Sequence, residues 1–477
     1  MSRFSRYFKI GQEQAAFDFI DISTSEDLPV FVDPYAIEIR DDEWANETSI
    51  YIKTFFAHLL KQLRDGQLTS AFHMMSHLTE PQETFLGVSA GLPQGRGVGS
   101  GQSKQIISAL RKSRAFQTGM LQDISELELY VEGIGPDKIS DLTTNIIRQP
   151  LYEYTLRQCD LYNIPTEKYA SPPIWVPDKL AWESRYIDLP YVSGLPVLLI
   201  PKDIARIRIS INSQEFYNKH MIEFLKAEYE RASDSLCITL KDGRKRAYKK
   251  DVKDRHPFIK DELAAFISEN PKVLELYKSI KGAAGPLDNE AFDEKFSAIS
   301  FCRDLTTALE DIPPGRKDAD RYHKLMMATL NYTLYPSGTN PRVEWEINEG
   351  RKRIDIVYTN AAKSGFFERM RNDPHIQSRQ IIVECKNYTS DIANEEFDQL
   401  SGRFDSRTRG RLGILTCRTV DDIGRIKKRC KDVASAGNGY IIVLTDKDIT
   451  HMLSLISSLQ GEKIDNFLGL KFEQILA

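Results

Sequence analysis

Apolar and polar positions repeat with two different periods along this chain, and the sharpest patterning lies in its last third. Over residues 320–334, Tyr322, Leu325, Met326, Leu330 and Leu334 recur at three- and four-residue intervals, which predicts a helix with one apolar face. Val343-Glu344-Trp345-Glu346-Ile347 alternates with period two, as a half-buried strand does. Gly350 makes a turn, and residues 353–358 form a second strand. After an excursion over 360–378 comes a strongly apolar strand at 380–386. A helix over 395–404, a strand over 411–417, a helix over 420–434 and a buried strand over 439–444 complete the series. Three strands in a meander followed by β-α-β-α-β alternation predict an α/β fold, a mixed sheet flanked by helices.

The first two hundred residues read as a mixed α/β region. Residues 28–34 form a short strand and 49–63 a helix. A glycine-rich stretch at 91–101 leads into a helix over 102–114. A turn at 133–137 precedes a helix over 138–147, capped by Asp137 or Ser140. The proline-rich segment 171–177 interrupts the pattern, and 195–200 reads as a buried strand. Helical spacing then covers 214–231 and 260–280, with a basic run at 241–255 between them, and Lys281-Gly282-Ala283-Ala284-Gly285-Pro286 reads as a linker. The expected organisation is an α/β domain over 1–212, a mainly helical connecting region over 213–300, and a third domain over 301–477.

Composition narrows the class. Of 477 residues, 41% are hydrophobic and 28% charged, the balance of a water-soluble globular protein with material for several cores. A net charge of −4 excludes a uniformly basic nucleic-acid coat, so any contact with a polyanion has to come from a local patch. The six cysteines contain no C-x-x-C pair, which argues against a structural zinc site and a disulfide framework and for a reducing compartment. No apolar stretch approaches the roughly 20 residues of a membrane span, and the N-terminus lacks an apolar signal core. The expected setting is the cytoplasm, away from membranes.

The chemistry concentrates on two strands. Asp355 and Glu384 each lie near the end of an apolar strand, and Lys386 follows Glu384 by two, so Glu384 and Lys386 share a face. Two neighbouring carboxylates repel, the more so when buried, and persist when a cation lies between them. Mg²⁺ suits such hard oxygen ligands and could polarise a phosphate and activate a water. An ammonium beside it could orient that water or stabilise the developing charge.

Asp355, then Glu384-x-Lys386 on an apolar strand, resembles the PD-(D/E)XK superfamily, whose fold is restriction-endonuclease-like. The resemblance implies that Asp355 and Glu384 bind Mg²⁺, or Mn²⁺ in its place, with the main-chain carbonyl of Cys385, and that Lys386 assists the attacking water. Gln399 looks like the glutamine that Mrr-like and RecB-like members carry on the following helix, and the strand-helix-strand over 411–444 is similar to the Mrr-like core. Many members also carry a Glu on the first helix. Here that stretch reads Asp320-Arg321-Tyr322-His323-Lys324, with His323 at that place, and a third carboxylate falls to Glu344, Glu346 or Glu310. The resemblance covers the C-terminal region alone. It implies a metal-dependent deoxyribonuclease, an endonuclease in a bacterial restriction or antiviral defence setting, whose partners are DNA and either a second copy or a defence-system protein. A catalytically inactive module that grips DNA or a partner is the first alternative. A nuclease gated by a nucleotide or protein signal sensed by the N-terminal region is the second.

Residues 403–431 hold ten basic against three acidic side chains. Among them Arg403, Arg407, Arg409, Arg411, Lys427 and Lys428 are candidates for phosphate contact, which dominates nucleic-acid affinity. The glycine stretch 95–101 precedes a helix, where backbone amides could hold a phosphate. It lacks the Walker A and G-x-G-x-x-G spacings, however, and reads as a flexible loop, so no cofactor-binding residue is assigned. Asp137 and Asp141 can share a helix face, with capping and surface placement the simpler account.

Overall fold

The computed structural model describes residues 3–24, 27–87, 100–347 and 352–476. Their apolar side chains gather into two cores. The first draws on residues from Phe4 to Phe292, so the helical stretch beyond residue 212 packs into the same core as the residues before it. The second runs from Phe301 to Ile475 and takes in Ala15 and Ala16 from the start of the chain.

The first core is mostly helical, with short two-stranded pieces around it. Its long helix Glu43–Arg64 is N-capped by the Asp42 carboxylate and buries Trp44, Ile52, Phe55, Phe56, Leu59, Leu60 and Leu63 on one face. Several expectations change here. Only residues 197–200 of the run 195–200 are buried, Leu195 being exposed, and the run is not a strand beyond Leu195–Pro196. Val197, Leu198 and Leu199 instead donate their N–H groups to Pro190 O, Glu83 O and Thr155 Oγ1, three unrelated acceptors. Helix Pro136–Ile146 starts after Gly135, and neither Asp137 nor Ser140 caps it; the Ser140 hydroxyl accepts the N–H of Val32. The helical stretch 260–280 is two helices, Lys260–Glu269 and Pro271–Ala283, because Pro271 has no N–H to continue the first. The second of these runs into the segment expected as linker. Helix Ser100–Lys112 follows the glycine stretch, whose residues 91–99 lie outside the described residues, as does Gly350.

The second core surrounds a mixed sheet. In chain order its elements are α1 (Ala298–Glu310), α2 (Ala319–Thr333), β1 (Gly338–Ile347), β2 (Lys352–Asn360), α3 (Gly365–Asn372), β3 (Gln380–Lys386), α4 (Asn394–Ser401), β4 (Leu412–Cys417), α5 (Ile423–Ser435), β5 (Tyr440–Thr445), α6 (Asp446–Ser457) and α7 (Lys463–Leu476). The five strands lie side by side in sequence order. β1, β2 and β3 are antiparallel neighbours, and β3, β4 and β5 run parallel. The region is therefore α/β with a mixed sheet flanked by helices. α1 before the first expected helix, α3 inside the excursion, and α6 and α7 after the last strand are additions to the expected series.

Polar contacts join the two cores. Asn331 on α2 donates to Ala16 O at 2.7 Å. Buried Asp18 accepts the N–H of Asn340 on β1 at 2.9 Å and the Tyr154 hydroxyl at 2.8 Å. Arg40 donates to Thr339 Oγ1 at 3.3 Å. No helix among the described residues is long and apolar enough to cross a membrane.

Candidate active site

Strand register brings the two acids together. Ile356 pairs with Val383, so the next position along sets Asp355 across from Glu384, on the same face of the sheet. The ladder ends there, and the side chain of Asp355 continues it: its Oδ2 accepts the backbone N–H of Cys385 at 2.9 Å. Cys385 itself faces the other side and is 2% exposed. Burial, helped by the charge of Asp355, pushes its thiol up to about 12, so the sulfur stays protonated and the residue's hard donor is its carbonyl. That carbonyl meets His323 Nε2, from the first turns of α2, at 3.0 Å. A carbonyl only accepts, so Nε2 carries the proton in this contact. The same nitrogen lies 3.6 Å from Asp355 Oδ2.

Glu384 is fully buried, and both of its oxygens face cations. Lys386 Nζ donates to Oε1 at 2.8 Å and also to Gln399 Oε1 on α4 at 3.3 Å. The Arg403 guanidinium forms an ion pair with Oε2. Burial pulls the pKa of Arg403 below its ordinary value, and the charge of Asp355 opposes that shift. Asp355, Glu384, Lys386 and Arg403 thus form a cluster with two charges of each sign. Buried charges persist only in such compensated sets.

The donor chemistry suits a hard divalent ion: two carboxylates and the Cys385 carbonyl at the end of one strand pair. Among the described residues, no group of three or more His, Cys, Asp or Glu side chains stands together to hold one. Glu344 comes across from Asp355, since Val343 pairs with Ile356 and Trp345 with Ile354. Its backbone turns to a positive φ of 46°, however, and its carboxylate goes to Arg353, as does that of Glu346. Glu310 is exposed at the end of α1. The compensating charge beside Asp355 and Glu384 comes from Arg403.

Residues 9–212 match a domain of unknown function, DUF8370. No curated protein and no solved structure matches the chain. The match ends well before β1, so it covers none of the cluster around Glu384.

The basic residues of 403–431 do not form one patch beside the acids. Arg403 is buried on Glu384. Arg407, Arg409 and Arg411 belong to the other end of the sheet: Arg409 O accepts the N–H of Gln380, the first residue of β3. At about 3.3 Å per residue, that is some 13 Å or more from Glu384 and Lys386. Arg409 also donates to Arg403 O. Lys427 and Lys428 are exposed on α5, which starts from the carboxyl end of β4. Arg418, within the same run, is internal. It donates to Asp446, to Ile312 O, to Leu309 O and to Asn387 Oδ1, tying α1 to α6. Sequence reasoning misses Arg403 as a partner of Glu384. No local signal points to it, because Arg403 lies beyond the end of α4, outside the reach of helical spacing.

Proposed function

We propose that residues 301–477 are a metal-dependent nuclease of the PD-(D/E)XK, restriction-endonuclease-like type that hydrolyses DNA phosphodiester bonds as an endonuclease. One observation carries the reading: Asp355 and Glu384 meet on one face of neighbouring strands, with Lys386 Nζ 2.8 Å from Glu384. The strand order, with a three-strand meander followed by two parallel strands, agrees with it.

Asp355, Glu384 and the Cys385 carbonyl are the groups that would hold Mg²⁺, or Mn²⁺, which accepts the same oxygens. When bound, such an ion supplies charge neutralisation at the phosphate and a more acidic water. Lys386, positioned by Gln399, orients the water and meets the charge that develops on phosphorus. Asp355 holds the end of β3 in place through Cys385 N–H. Lys427 and Lys428, and separately Arg407, Arg409 and Arg411, are positions from which phosphates of a bound duplex can be met. The setting that fits is a cytoplasmic restriction or antiviral defence nuclease of bacterial type, with the N-terminal region acting toward a partner protein or a second copy.

One observation favours a second reading, a module that binds DNA or a partner without cutting. The charge of Glu384 is already matched by Lys386 and Arg403. Incubating the full chain with supercoiled plasmid, in Mg²⁺ or in EDTA, separates the two. Nicking in Mg²⁺ that is lost in EDTA and in Lys386→Ala is expected. An intact plasmid with a retained gel shift sinks the nuclease reading in favour of the second.

A further inference from the structure

Glu384 has no water to lean on. It is 0% exposed, and a buried carboxylate is tolerated only when fully compensated. Lys386 hydrogen-bonds Oε1 and the Arg403 guanidinium stands against Oε2 as an ion pair, so both oxygens that a divalent ion needs already face protein cations. Adding two positive charges to the neutral set of Asp355, Glu384, Lys386 and Arg403 would leave the pocket with the excess that it now avoids. One cation has to leave for the ion to enter.

The two candidates are not equivalent. Lys386 is held at a second point by Gln399 and stands two residues from Glu384 on the same rigid strand. Arg403 lies beyond the end of α4, on the segment that leads to β4, with a long side chain that can turn without moving a strand. A guanidinium is also the side chain best able to exchange a carboxylate for a phosphate, because its planar fork matches both.

We propose that Arg403 is the resident counter-cation of this site. It competes with the divalent ion for Glu384 and is drawn off it by a phosphate of the bound nucleic acid. The inference rests on the nuclease reading and adds to it a coupling between ion and substrate. Nucleic acid that removes Arg403 raises the affinity for the ion, and by linkage the ion raises the affinity for nucleic acid by the same factor. Free protein then holds its ion weakly and is quiet until a duplex arrives.

The test is calorimetric titration of Mn²⁺ into the full chain, with and without a short duplex whose phosphorothioate linkages resist cutting. Arg403→Gln is expected to bind Mn²⁺ at least tenfold more tightly than wild type without duplex. Adding the duplex should tighten Mn²⁺ binding to wild type and change it little for Arg403→Gln. Arg403→Lys, which keeps the charge, should stay near wild type, and Glu384→Gln should lose the site. A folded Arg403→Gln with wild-type or weaker Mn²⁺ affinity overturns the proposal. So does wild type whose Mn²⁺ affinity ignores the duplex, a readout that stands even if Arg403→Gln fails to fold. If wild type cuts plasmid while either result holds, the inference falls alone. If no protein binds Mn²⁺ with or without duplex, the nuclease reading falls with it.

Discussion

The carboxylate of Asp355 accepts the backbone N–H of Cys385, replacing a ladder bond where β2 and β3 part. Asp355 therefore has a structural role beside the chemical one that the nuclease proposal gives it, and two substitutions separate them. Asn keeps an oxygen for the Cys385 N–H, whereas Ala leaves that donor unmatched, at a cost of about 1–3 kcal/mol. Asp355→Asn is expected to melt close to wild type yet lose plasmid cleavage by about a hundredfold or more, and Asp355→Ala to lose both. Thermal melts beside cleavage rates check this; an active Asp355→Asn would remove Asp355 from the chemistry.

Gln399 touches Lys386 from an exposed helix position, so under the nuclease proposal its loss should tell on activity more than on folding. Gln399→Ala should lower kcat by about tenfold, with KM for DNA nearly unchanged, as expected when a group positioned for the transition state loosens. Its melting temperature should stay within about 1–2 °C of wild type, since surface changes usually cost under ~0.5 kcal/mol. A tenfold rise in KM at unchanged kcat would mean that Gln399 binds DNA instead.

Two kinds of basic residue in 403–431 should behave oppositely. Arg418→Ala removes a buried cation from Asp446 and from the carbonyls of Leu309 and Ile312, a loss of about 3–5 kcal/mol. Lys427→Ala with Lys428→Ala should leave the melt unchanged and weaken DNA binding, lowering the slope of log K against log salt by about one for each phosphate that these lysines neutralise. Chemical denaturation and salt-dependent gel shifts measure the two.

Asp141 gives a pH dependence with a definite sign. Burial, then the charges of Asp137 and Glu80, push its carboxyl up to about 8. Below the ordinary carboxylate range, folded and unfolded chains both hold this proton and its contribution to stability is complete. As pH rises toward 8 the unfolded chain has released the proton while the folded chain still holds it, so stability falls across that window and levels off above it. Asp141→Asn should therefore stabilise the protein progressively from pH 5 to pH 8, by at least about 1 kcal/mol at the upper end. Melts at pH 5, 6.5 and 8 test it, and a difference between variant and wild type that does not change with pH would contradict it.

What the sequence discloses follows from which signals are local. The strand Gln380–Lys386 is legible to the residue, because an unbroken apolar run with Glu384 and Lys386 two apart sets both length and face. The mixed sheet flanked by helices follows from the meander and the alternation of strands and helices after it. α6 escapes a sequence reading because it starts at Asp446 directly on the end of β5, capped by Thr445, with no turn residues to announce it. Residues 195–200 look like one strand, but Val197, Leu198 and Leu199 satisfy their N–H groups on three separate segments, which no local pattern reveals. Arg403 and Arg418 pass for surface charge because a long basic side chain reads the same whether it ends in water or on a buried acid. Their burial is a property of the packed fold.

The measurement closest to the central claim is the single-turnover rate of cutting of an end-labelled duplex at saturating full-length protein, in Mg²⁺, for wild type and Lys386→Ala. Wild type should cut inside the duplex and Lys386→Ala should be slower by about a hundredfold or more, with both proteins shifting the same duplex in a gel. Equal rates for the two, or a wild type that binds the duplex and leaves it whole, would contradict the account.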